Sequence, residues 1–362
     1  MDREDGWWVI KRHSDVSKYL SDDRLTPLVD FPTAPSGTYK SSPALVSALH
    51  QWCWMRQCSL DSISLNRLRP HFSHRHLRNI ETRIQTSAQR HAENLHCSGG
   101  GDVVLDYVTP LVGSVMADFS RLPSRDSSLI TECSVRRWAM FDARGSKLET
   151  ATRVKFHELE EKLIESIDFT TDRREIVNGS IPLLPPNETR NFRIAQFTAA
   201  FTAYELARAI LSTTLSLLLH NPHQLARVRG NPEITNSLIK EVLRLHGPEY
   251  VVPMKARIPF EIHGNSIEVG DCVALAAGSA NCDSSIFMRP AVFSPDRTVQ
   301  THIGLSSPYA RLTAPLVILI VHTAVCTLLR SSSTLSLAST PVSSNERPPG
   351  HRILTLPVRY FN

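Results

Sequence analysis

The chain has 362 residues, 41% of them hydrophobic and 21% charged, with a net charge of +5 and an isoelectric point near 8.9. That is apolar material for one large core or two modest ones, and the mild basic excess, with no Lys/Arg block or arginine-glycine tract, argues against a nucleic-acid partner. The seven cysteines, Cys53, Cys58, Cys97, Cys133, Cys272, Cys282 and Cys326, include no Cys-X-X-Cys pair, so neither a disulfide framework nor a metal site is expected.

In chain order, "MDREDGWWVIKRHSD" has no apolar run of the kind a secretory leader needs, which predicts a cytoplasmic protein. Trp7 to Lys11 predicts a strand, and a helix follows from Ser14 with a serine cap. Residues 30–47 read as loop. "LNRLRPHFSHRHLRNIETRIQTSAQRHAENLH" is helical in period, broken at Pro70. A glycine turn (Gly99 to Gly101) leads into an apolar helix that stops at Leu122-Pro123. Residues 129–167 read as helical, and "VNGSIPLLPPNET" reads as a linker. The longest helix is expected over Thr189 to His220, with two more helices after it, each opened by an Asn-Pro.

From Pro253 the pattern changes to strand, turn, strand, with the turn at His263-Gly264-Asn265. The apolar run Leu316 to Leu329 is fourteen residues, short of the roughly 20 that cross a bilayer, so a buried helix and no membrane partner are expected. "RILTLPVRYF" ends the chain as strands. The fold class is therefore mainly α with a small β part. One domain, 1–362, is expected, with its helical bulk over about 50–250 and its β part in 1–12, 253–300 and 351–362.

Five stretches in this order resemble the cytochrome P450 family: "WWVIKRHSDVSKYLSDDRL", "LLLHNPHQLARVRGNP", "LIKEVLRLHGP", "VALAAGSANCDSSIFMRPAVFSPDR" and "RILTLPVRYF". The resemblance implies that fold, shortened before Trp7 and around residues 144–190. It also implies a structural network of Glu241, Arg244 and Arg297. Glu241 and Arg244 stand three apart and share a helix face.

Against the family's pattern, three sets of residues are replaced. The family's iron hangs on a cysteine thiolate. Aligning "TAPLVIL" with the segment after that cysteine puts Arg311 at its position, and no cysteine lies between Cys282 and Cys326. Cys326 is about 22 Å further along a helix at 1.5 Å per residue. Leu65 stands where a histidine would bind a haem carboxylate, Arg69 remains, and Met254 stands for an expected arginine. Leu206 replaces the oxygen-activating threonine beside Glu205.

These losses point to a haem-less branch of the family, similar to the auxiliary activators of desosamine-type glycosyltransferases in macrolide and polyketide antibiotic biosynthesis. The expectation is a non-catalytic protein, not an enzyme, without a cofactor, that binds and activates or stabilises a deoxysugar glycosyltransferase in a hetero-oligomer. One alternative is a haem-free enzyme with acid–base or isomerase chemistry in the vacated pocket, using Glu205, His302 and Tyr309. Another is a haem monooxygenase with unusual ligation, by His302 or His322.

Overall fold

A computed structural model of the chain describes residues 2–4, 6–28, 62–142, 149–167, 186–298, 301–331, 334–343 and 353–360. The loop expected at 30–47, most of the linker (177–185), Cys53 and Cys58 lie outside them. The described strands are β1 (Asp2–Glu4), β2 (Trp7–Ile10), β3 (Leu25–Pro27), β4 (Gly100–Asp102), β5 (Val252–Ala256), β6 (Phe260–Ile262), β7 (Asn265–Ile267), β8 (Cys272–Leu275), β9 (Leu335–Leu337), β10 (Val342–Ser343), β11 (Ile353–Thr355) and β12 (Pro357–Tyr360). The helices are α1 (His13–Tyr19), α2 (Ser62–Leu68), α3 (His74–Cys97), α4 (Thr109–Phe119), α5 (Leu129–Asp142), α6 (Glu149–Ser166), α7 (Pro186–His220), α8 (Pro222–Gly230), α9 (Thr235–His246), α10 (Ala277–Ala280) and α11 (Pro308–Arg330). The chain divides into two compact units: residues 1–59, 209–311 and 339–356, and residues 60–208, 312–338 and 357–362.

The first unit is built on a five-stranded sheet in the order β1-β2-β8-β5-β3. β2 and β8 run parallel, Trp7 opposite Cys272 and Ile10 opposite Leu275, and β5 returns antiparallel beside β8. One face of this sheet carries Ile10, Val252, Val273 and Leu275, which pack with Val16 of α1 and Ala277 of α10 into a dry cluster. The β6–β7 hairpin turns at His263 and Gly264, both at positive φ (48° and 77°). That geometry matches the right-handed twist of paired strands, and glycine adopts it without strain.

The second unit holds most of the helical mass. The π-helical turn Val103–Val108 leads into α4. Leu111, Val112, Val115 and Met116 of α4 are buried at helical spacing. Upstream, Ser73 caps α3 by accepting from the amide of His76 at 3.4 Å. Of the glycines read from sequence as a turn, Gly99 lies in one (φ 72°), while Gly100 and Gly101 open β4, the edge partner of β12 in the sheet β4-β12-β9. At Gly100 (φ +139°) a Cβ would press on the Val358 carbonyl and lie 2.9 Å from the Arg359 Cα, so only glycine lets the two backbones meet there.

Deeper in this unit, the buried Tyr107 hydroxyl donates to the Ala324 carbonyl at 2.7 Å. Removing it in Tyr107→Phe leaves that carbonyl with its helical backbone bond alone, and is expected to lower stability by about 0.5–1.5 kcal/mol in chemical denaturation.

α11 is long and apolar enough to cross a membrane by length and composition alone. Most of its apolar side chains are instead inside the protein: Val317, Ile320, Val321, Ala324, Val325 and Leu328 have no exposed surface. Such a helix reads as a core element.

Candidate functional site

The first unit contains the frame of the site. In α9, Leu238, Ile239, Val242 and Leu243 bury one stripe, and Glu241 and Arg244 go inward with it, 4% and 2% exposed. Arg244 grips the Glu241 carboxylate with two bonds of 2.8 Å. Its remaining donors reach the carbonyls of Asn281 (2.8 Å), Pro290 (2.7 Å) and Val292 (3.3 Å). Arg297 meets the same carboxylate at 3.3 Å and also holds the carbonyls of Met288 and Val292. The amide of Ser294 completes the carboxylate's shell at 2.9 Å. The structure thus brings Glu241, Arg244 and Arg297 together, with the polar groups mutually satisfied. Buried charge is tolerated on that condition.

Beyond this frame lies loop 301–311, irregular over 301–307 and continuing as the first turn of α11. It packs tightly on the end of α9, because Gly304 and Gly247 have no side chains to separate them. A Cβ on Gly304 would press on the Leu243 carbonyl. Asn281 accepts from the amide of Ile303 at 2.7 Å, in a buried position. His302 accepts at Nδ1 from the amide of Gly304 at 3.2 Å. Burial, with the charge of Lys240 adding to it, pushes the imidazole of His302 down to about 4, so the ring is neutral at pH 7. Ser307 accepts from the amide of Ala310 at 3.1 Å, capping the first turn of α11. Tyr309 is buried and Arg311 is exposed.

Glu249 was not anticipated from sequence. It is 2% exposed and receives the amides of Ser306 and Ser307, the latter at 3.0 Å. Burial pushes its carboxyl up, while Ser307, the two amides and Arg311 pull it back. A lone acid in the apolar stretch "GPEYVVP" is the signal that could have drawn attention to it.

The other residues singled out from sequence fall elsewhere. Met254 is buried in β5 of the first unit. In the second unit, Leu65 is half-buried on α2 and Arg69 is exposed. Leu206 is buried on α7. Glu205 is buried beside it, 3.8 Å from Arg208, and its charge acts on the buried Arg137. Glu205 therefore stands among buried guanidiniums, as a partner in an ion pair on the helix itself. His322 lies on α11 with Nε2 3.9 Å from the Cys326 sulfur.

Whether these residues suit a thiolate-bound haem is decided by the donor set. Loop 301–311 contains no thiol, its Arg311 is cationic and exposed, and Cys326 is buried against His322. Arginine cannot deprotonate to become a ligand. The residues do not fit that ligation. Among the described residues, no group of three His, Cys, Asp or Glu could hold another metal ion.

A family profile described as Cytochrome P450 matches residues 217–310. The biotin biosynthesis cytochrome P450 of Bacillus subtilis is 27% identical over 276 residues, covering 66% of this chain and 62% of that protein. Nocardicin C N-oxygenase of Nocardia uniformis is 23% identical over 322 residues, 82% of this chain and 74% of that protein. Protein AknT of Streptomyces galilaeus is 30% identical over 163 residues, 44% of this chain and 36% of that protein. Among solved structures, the versatile cytochrome P450 enzyme CYP109B1 from Bacillus subtilis superposes with a TM-score of 0.79 at 20% identity, over 99% of this chain and 94% of that one.

These findings bear out the fold and correct three expectations. The expected non-catalytic glycosyltransferase activator, the expectation that the chain is not an enzyme, and the expected absence of a haem cofactor run against relatives named as cytochromes and as an oxygenase. Nor do those names single out a haem-less auxiliary branch, and with that reading goes the reason to expect a glycosyltransferase partner. Replacement of the residues at Arg311, Leu65 and Leu206 says how this site differs from the family's. It does not by itself say that the chain has no activity.

Proposed function

Because the chain belongs to the cytochrome P450 superfamily, we propose that it is an enzyme of the superfamily's oxidative kind, a monooxygenase for a small organic molecule. The observation that carries this reading is the complete frame of Glu241, Arg244 and Arg297, which holds residues 281–297 and so the entry to loop 301–311. Relatives named as enzymes support it. A cytoplasmic location is part of the same proposal.

Loop 301–311 supplies no thiolate, and its imidazole, His302, is neutral at pH 7. The test is expression with a haem precursor, followed by absorbance, and then turnover of a panel of small organic acids with dioxygen, an electron-transfer protein and a nicotinamide reductant. Oxygenated product is expected, with a ferrous carbonyl spectrum lacking the long-wavelength band of thiolate ligation. A colourless protein that yields no product would refute the reading.

A further inference from the structure

We infer that Glu249 is a built-in anchor for loop 301–311, so that the start of α11 is held closed by the chain's own carboxyl group and not by a metal-bound anion. This inference goes beyond the enzymatic reading and does not depend on it.

The amides ahead of a helix have no carbonyl to bond within the helix, and together with the helix dipole they attract an anion or acceptor. In α11, the amide of Ala310 is taken by the Ser307 hydroxyl. The amides of Ser306 and Ser307 would remain, and both go to one oxygen, Oε2 of Glu249, which arrives from the segment after α9. Glu249 is 2% exposed, the Ser307 side chain also acts on its carboxyl, and among the described residues no hydrogen bond reaches the buried Oε1. Burying a carboxyl with one oxygen unsatisfied is costly. It persists because the two amides would otherwise be the unsatisfied groups. Two further ties, Asn281 to Ile303 and His302 to Gly304, act on the same loop. All three are made from within the first unit, and none needs a bound group.

Glu249 is a positioning residue, so the test follows the amides themselves. Hydrogen exchange at Ser306 and Ser307 is compared in the wild type, Glu249→Gln and Glu249→Leu, and in the wild type with added haemin. The Leu variant should lose protection of these two amides roughly tenfold or more. The Gln variant, which keeps an acceptor oxygen, should retain it. Added haemin should leave wild-type exchange at both amides unchanged. Protection that survives in the Leu variant, or is lost equally in the Gln variant, overturns the inference. So do wild-type amides that become protected only when haemin is added. Should the Leu variant fail to fold, the Gln variant and the haemin comparison still decide.

Discussion

Replacing Arg244 with methionine is expected to remove about 3–5 kcal/mol of stability, the cost of breaking a buried ion pair from one side. Methionine fills much of the volume but leaves the Glu241 carboxylate with only Arg297 and the Ser294 amide. It also strips the carbonyls of Asn281 and Pro290 of the donor that reaches them from Arg244. Against a typical total of about 5–15 kcal/mol, the loss is a large share of the whole. Urea unfolding of the two proteins measures it. Arg244→Lys should fall between them, because an ammonium keeps the charge but cannot fork between a carboxylate and the surrounding carbonyls. A loss below about 1 kcal/mol in the methionine variant would mean that the network is as weak as an exposed pair.

A second large effect is expected from His302. Its folded pKa of about 4 lies below the ordinary histidine value, because burial and Lys240 both disfavour the charged ring. The fold therefore prefers the neutral form. The stability that goes with neutral His302 is fully present above about pH 6.5. It is lost as pH falls from there through the folded pKa near 4, for a total of at most about 3 kcal/mol. Asparagine offers an oxygen where Nδ1 accepts from Gly304, and it does not titrate. His302→Asn should therefore keep more of its stability than the wild type as the pH drops across that window. Urea midpoints at a series of pH values test this, and parallel profiles for the two proteins would refute it.

Some of this arrangement could be read directly from the residues. Glu241 and Arg244 stand three apart between apolar neighbours, so burial of the pair follows from helical period alone. His263-Gly264 announces a tight hairpin, because few other pairs tolerate positive φ at two successive positions. β4 could not be read the same way. Gly100 and Gly101 carry no alternating side chains, and they are a strand only because β12 pairs with them. Glu249 was hidden for a related reason. Its partners are backbone amides 57 and 58 positions away, and a backbone donor leaves no mark in a sequence. Glu205 was half legible. Arg208 is three residues on and could be read from helical spacing, but Arg137 comes from another helix and could not. Function is less legible: the side chains at Arg311, Leu65 and Leu206 show which contacts of the family's site are replaced, and a replaced contact does not reveal what chemistry the site retains.

The parallel pairing of β2 with β8 has a consequence for how the protein is made. Residues 7–10 leave the ribosome well before residues 272–275, their partner on one edge; β1 lies on the other. At about 5–20 residues per second, the nascent Trp7–Ile10 waits roughly 15–50 s for that partner. During that interval one edge of an apolar strand has no partner, the kind of exposed edge that other chains can pair with.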